Sequence, residues 1–443
     1  MDYVQITPAQ REQMLKAVGA ASMEDLLRQV PDELRLHRPL DIPSPLDELS
    51  LRSHLGDLSS KNRSTDCQVC FLGAGAYDHF IPAVVDDLAM KGEFLTAYTP
   101  YQAEASQGSL QAFFEYQTMI CQLTGMEVSN ASLYEGATAL AEAAMMALNV
   151  TGKREIVVSR GVHPHYRQVL RTYLSDLPAI YSEVPLKNGL TDSQYLETEL
   201  EEDTAAVIVQ SPNFLGHIER VDTIGKFAHA NGSLCIQSFN PISLGILKRP
   251  GQLEVDIATA EGQPLGIPLQ FGGPYLGIFT CKSQFVRKMP GRLVGQTVDT
   301  EGRRAFCLTL QTREQHIRRE KATSNVCTNQ GLLALRASVY LAAMGPKGLR
   351  QAAQLCYNKA QYMAARLQAA GLSLKYPAAP FFNELCVQLK RPVDEIIRQA
   401  HAQHILPGYP IGKDYPELSD CLLVAVTEKR TRAEIDRLVE VLK

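Results

Sequence analysis

The sequence predicts an α/β fold, with a mostly parallel sheet in a large domain, a smaller α+β C-terminal domain and an N-terminal arm. Three observations carry this. From about residue 130, short apolar β-rich runs alternate with helical patterns, the signature of strands separated by crossover helices. Those runs are continuously apolar, as strands buried on both faces are. The 443 residues also exceed what one hydrophobic core usually spans. The predicted divisions are an arm over 1–65, a large domain over 66–325 and a small domain over 326–443.

Taken in order, the arm is helix-like and then rich in proline and leucine ("RPLDIPSPLDELSL"), with too few apolar residues for a core of its own. The segment "FLGAGAYDHFIP" (71–82) is glycine-rich but lacks the strand, turn and long helix of a dinucleotide site. In "YTPYQAEASQGSLQ" (98–111), Pro100 favours an extended or turn conformation at Thr99, so Tyr98 and Tyr101 precede the helix that follows. That helix carries Leu110, Phe113, Phe114, Gln117 and Cys121 on one face. Ala112, Tyr116, Met119 and Leu123 lie on another, which predicts burial on two sides at a subunit interface. Next come helices at 136–148, 161–173 and 220–230 and strands within 154–159, 204–212, 233–239, 255–262 and 275–281. The last three strands are closely spaced, predicting antiparallel pairing at that edge. A long helical region over 329–370, interrupted near Gly345-Pro346, leads into "FFNELCVQL", a helix, "CLLVAVT" and a final helix.

Composition narrows the function. A formal net charge of −4 offers no basic surface for nucleic acid. No apolar run reaches membrane-spanning length and the start has no secretory pattern, so the expected location is the cytoplasm. The ten cysteines have no pairing rhythm, as in a reducing compartment. Cys67-x-x-Cys70 lacks a second pair, and His163-Pro164-His165 reads as a helix-opening turn, so no metal is expected.

This order of domains is that of fold-type I, the aspartate-aminotransferase-like pyridoxal phosphate transferases. Such a site needs a Schiff-base lysine, an aspartate at the pyridine nitrogen and a small-residue helix N-terminus for the phosphate. Gly136, Ala137 and Thr138 offer the third, although small residues there also suit close helix–sheet packing. The aspartate position falls on Gln237 or Ser238. No lysine occurs between Lys248 and Lys282, and Gln263 and Pro264 stand where it is needed. The chain therefore reads as unable to hold the cofactor covalently.

Several blocks carry a family likeness: "FLGAGAYDHFIPAVV" (71–85), 96–147, "FGGPYLGIF" (271–279), "MPGRLVGQTVD" (289–299) and "LTLQTREQHIRREKATSNVCTNQ" (308–330). They resemble the glycine cleavage system P-protein, from about residue 3 to the C-terminus, and more narrowly the alpha chain of its split bacterial form. The resemblance implies a glycine dehydrogenase (aminomethyl-transferring) in which a beta subunit carries the lysine and pyridoxal 5'-phosphate, two alpha chains assembling with two beta. It implies that glycine is decarboxylated and its aminomethyl group passes to the lipoyl arm of H-protein, with the alpha chain inactive alone.

Within that frame, Tyr98, Tyr101, Gln102 and Ser106 are candidate walls of the glycine pocket, since tyrosine hydroxyls and glutamine amides suit a small polar substrate. The alternative is that both tyrosines pack an interface. Thr323 and Ser324 are candidates for the partner's cofactor phosphate, and His316 for acid–base work or a structural hydrogen bond. Arg313, Arg318, Arg319 and Lys321 alternate with acids, as on a solvated, salt-bridged helix face. Two rival functions remain: a scaffold or regulatory paralogue stabilising the partner, and an independent enzyme using Lys248 or Lys282.

Overall fold

A computed structural model describes residues 5–443, in two compact units, Met1–Arg63 and Ser64–Lys443. The first holds helices Pro8–Ala17, Met23–Leu27 and Glu48–Ser60, capped by Thr7, Ser22 and Asp47 side chains, and none has a buried residue. That agrees with its sparse apolar pattern.

The second unit is built on a seven-stranded sheet: β1 (Val128–Ser129), β2 (Glu155–Ser159), β3 (Ile180–Val184), β4 (Thr204–Ser211), β5 (Leu234–Phe239), β6 (Ile257–Glu261) and β7 (Gly277–Cys281). Their order is β1-β7-β6-β5-β4-β2-β3. Only β7 runs against its neighbours, the antiparallel edge anticipated from the close spacing. β3 was missed, because Ile180 and Tyr181 are not fully buried and its run is broken by Ser182 and Glu183. The continuous apolar runs have a direct cause. Val157, Val207, Cys235 and Ala258 enter one core, whereas Ile156, Val158, Ile208, Ile236 and Phe279 enter the other.

Helices α1 (Gln107–Thr124), α2 (Gly136–Thr151), α3 (Pro164–Leu174), α4 (Val221–Ala230) and α5 (Gly331–Ala369) surround the sheet. α5 breaks at Gly345, whose φ of 59° and ψ of 178° belong to a region that essentially only glycine enters. The two-faced burial expected of α1 is only partly realised. Leu110, Tyr116, Ile120 and Leu123 are buried, while Phe113, Phe114 and Met119 stay partly exposed.

A four-stranded antiparallel sheet lies toward the C-terminus: Ser373–Leu374, Glu384–Gln388, Cys421–Ala425 and Tyr409–Pro410, in that order. Its core is closed by the end of α5 and by helices Val393–Ala402 and Arg432–Leu442. Val69–Cys70 pairs with Ile405–Leu406, and the glycine-rich 71–82 segment departs from there. At Gly73 a side chain would run into Glu384 and Ala425, so this close approach requires glycine.

Candidate functional site

In open α/β sheets ligands bind beyond the carboxyl ends of the strands. Here that position is filled by the chain itself. Gln210 from β4, Ser238 from β5, Glu261 from β6 and His163, which opens α3, surround a cavity of about 30 Å³. Such a space holds about one water molecule. His163 donates from Nε2 to the Ala74 carbonyl at 2.8 Å and accepts the His165 amide at Nδ1, which fixes its tautomer. Burial pulls its pKa down to about 4, so the ring is neutral. It stacks on Tyr166 at 4.7 Å and 17°. Gln263, at the expected lysine position, accepts from the Tyr77 amide and donates to the carbonyls of Tyr77 and Ile267. Ser238 reaches the cavity, whereas Gln237 is buried elsewhere with its Oε1 unpartnered.

The proposed phosphate loop is where the sequence places it, since α2 begins at Gly136. Its amides, however, are already engaged. Glu135 accepts from Ala137 (2.7 Å) and Thr138 (2.9 Å), and Glu261 accepts from Gly136 (3.0 Å). Glu261 also takes the amides of Gln263 and Leu276. Burial pushes the Glu261 carboxyl up to about 7 despite those three donors. A side chain at Gly136 would fall on the Tyr166 hydroxyl and on Glu261. With no lysine, no aspartate and its amides taken by carboxylates, this cradle does not fit pyridoxal phosphate.

The glycine-rich 71–82 segment closes the cavity from the other side. Glu384 accepts from the Ala74 amide at 2.7 Å and the Tyr77 hydroxyl at 2.8 Å, and burial pushes its carboxyl up to about 7.

A second cavity, of about 160 Å³, is lined by Phe94, Tyr98, Pro100, Phe113, Arg292 and Leu335 among others. Tyr98 is 77% exposed and hydrogen-bonds Thr328 at 3.1 Å. Tyr101, 50% exposed, meets Arg292 at 3.0 Å through its hydroxyl, and the guanidinium lies 5.3 Å over its ring. Arg292 donates to the Cys327 carbonyl, and its Nε has no hydrogen-bond partner among the described residues. Glu314 lies 3.8 Å from that Nε and 3.6 Å from His316, whose ring meets Tyr101 edge-on at 5.7 Å. Tyr98, Tyr101 and His316 thus gather around Arg292, which sequence reasoning missed because "MPGRLVG" places it in an apolar strand opening. Gln102 is exposed, and Ser106 caps α1 without a side-chain bond to the helix.

Thr323 and Ser324 lie apart from this group. Thr323 lines a cavity of about 330 Å³ with Arg287, Lys288, Arg313, Arg318, Lys321 and, near the end of α2, Asn149. Ser324 accepts the Val326 amide at 3.1 Å. The 311–321 stretch is not one helix but three short turns, so its charges do not form a helical face. Arg313 in particular is half-buried and donates to the carbonyls of Met289, Gly291 and Leu310, which the chain leaves facing inward. Lys282 pairs with Asp256 at 2.7 Å, opposite His229 on the same carboxylate, away from the cradle.

Comparison with known proteins adds a consistent result. The family model of the glycine cleavage system P-protein matches residues 1–442. A probable glycine dehydrogenase (decarboxylating) subunit 1 from Carboxydothermus hydrogenoformans is 51% identical over 442 residues, covering 100% of this chain and 99% of the relative. One from Geobacillus thermodenitrificans is 48% identical, covering 99% and 97%. A crystal structure of glycine decarboxylase, the P-protein of the glycine cleavage system, in inhibitor-bound form superposes with a TM-score of 0.93 at 46% identity, covering 100% of this chain and 99% of that one. A cysteine desulfurase from Thermococcus onnurineus shares the fold at TM-score 0.64 and 14% identity, over 90% of this chain and 98% of its own.

Proposed function

Because the chain belongs to the glycine cleavage system P-protein family, we propose that it is the cofactor-free half of a two-chain glycine decarboxylase. In this reading a partner subunit holds the pyridoxal phosphate, and the face bearing Tyr98, Tyr101, Arg292 and His316 completes that partner's pocket. The carrying observation is a contrast: the pocket beyond the chain's own strand ends leaves only about 30 Å³, while Tyr98 and Tyr101 stand exposed beside Arg292. Bound pyridoxal phosphate supplies the electron-withdrawing ring that lets glycine lose carbon dioxide.

The residues of this chain then bind and orient. Arg292 is buried apart from its contact with Tyr101, so it fixes the phenol in one direction. An oriented hydroxyl and a crowded aromatic wall favour a substrate without a side chain, since a larger one meets the rim. Thr323, within its cationic cavity, and Ser324 remain candidates for contact with a phosphate or with the partner. The aminomethyl group left after decarboxylation passes to the lipoyl disulfide of H-protein, in an assembly of two alpha and two beta chains in the cytoplasm.

The test is glycine decarboxylation by the reconstituted complex carrying Tyr101→Phe. Loss of about 1.5–3 kcal/mol in kcat/KM, roughly ten- to hundredfold, is expected when the fixed hydroxyl is removed. Unchanged kinetics with intact assembly would favour the scaffold reading instead.

A further inference from the structure

We infer that Glu135 and Glu261 are a built-in substitute for a phosphate group: they occupy the amides opening α2 and thereby exclude phosphate esters from this helix turn. The argument begins with the number of donors. The first amides of a helix have no intrahelical partner and attract an anion. At α2 the amides of Gly136, Ala137 and Thr138 point to two carboxylates at 2.7–3.0 Å, leaving none for an incoming oxyanion. The two carboxylates reach the same turn from different places. Glu135 is the N-cap residue and folds back locally, whereas Glu261 ends β6 and arrives from 125 residues away.

Glu261 is held in place independently of the helix, by the amides of Gln263 and Leu276, so its carboxylate is presented rigidly. The ring position is filled as well. Tyr166 stacks on His163, and its hydroxyl stands over Gly136, where a larger residue would collide with it. Carboxylates and a phenol thus take the places of an anionic group and an aromatic ring. A second anion brought to this turn meets both the occupied donors and the repulsion of two like charges.

This exclusion is reversible by substitution and can be read on the full chain without a partner, so it is separable from the role given to Tyr101. Wild type, Glu135→Ala and Glu135→Ala/Glu261→Ala proteins are titrated with inorganic phosphate at pH 8, above the raised pKa of about 7 at Glu261. Calorimetry and the thermal midpoint are the readouts, with chloride at matched ionic strength as control. The double variant should bind phosphate at least about tenfold tighter than wild type, and phosphate should raise its melting temperature. Glu135→Ala alone, which keeps Glu261 on its three amides, should move the same way by less, and it decides the matter if the double variant does not fold. Binding at the cationic cavity around Arg313 and Lys321 is common to all three proteins and cancels. A folded Glu135→Ala protein with wild-type phosphate affinity would overturn the inference, as would wild type binding phosphate as tightly as the variants.

Discussion

Glu384 shows most plainly how single residues set the behaviour of this chain. It is fully enclosed, bonded to Ala74 and Tyr77, and burial lifts its carboxyl from 4.5 to about 7. A folded-state pKa above the unfolded one means the neutral form is favoured by folding. The stabilisation is complete below about pH 4.5 and is lost as pH rises through 7. Glu142, Glu219 and Glu261 are shifted the same way, each with burial as the main cause. Glu384→Gln removes one of these titrations while keeping an oxygen for the Ala74 amide. Measured by denaturant unfolding, the variant should gain on wild type by about 1–3 kcal/mol between pH 5 and pH 8. A difference that does not change with pH would contradict the neutral burial of Glu384. At this scale the sequence was only partly legible. The absent lysine and aspartate were readable as identities at Gln263 and Ser238. The replacements at Glu135, Glu261 and Tyr166 were not, because Glu261 and Tyr166 reach Gly136 from about 125 and 30 residues along the chain. One local sign existed: a glutamate directly before Gly136-Ala137-Thr138 stands at an N-cap.

Among the elements, α2 illustrates why a pattern can be read correctly in position and still mislead about use. Alanines over 137–147 pack its whole circumference, and ten of its sixteen residues are buried, so the helix needs small residues whatever its N-terminus binds. The packing alternative accounts for "EGATALAEAA", while the amides that would have cradled a phosphate are taken by Glu135 and Glu261. The requirement at Gly136 is specific, since a methyl group there meets the Tyr166 hydroxyl and Glu261 Cβ. Gly136→Ala should cost about 1–3 kcal/mol, seen as a lower thermal midpoint, because the stacked Tyr166 cannot withdraw without disturbing His163. Full retention of stability would show the turn to be looser than described. The strands were legible for a related reason, as runs buried on both faces leave no alternation to misread. The 311–321 stretch was not, because alternating charge resembles a helix face even when inward-facing carbonyls capture a residue such as Arg313.

At the scale of the whole molecule, Ser64–Lys443 forms one compact unit with the fold of a cofactor-dependent enzyme, and its own side chains fill the space beyond the strand ends. The aromatic hydroxyls it leaves exposed lie elsewhere, at Tyr98 and at Tyr101, whose hydroxyl meets the buried Arg292. The family was legible in long sequence blocks, and the fold in the alternation of strand and helix. The proposed division of labour between two chains follows from the family resemblance together with the missing lysine. The most direct measurement is borohydride reduction of the complex with its partner subunit in the presence of pyridoxal phosphate, followed by mass spectrometry of each chain. The account predicts a stoichiometric pyridoxyl adduct on a lysine of the partner and none on this chain. An adduct on this chain, at Lys248 or Lys282 or any other lysine, would contradict it.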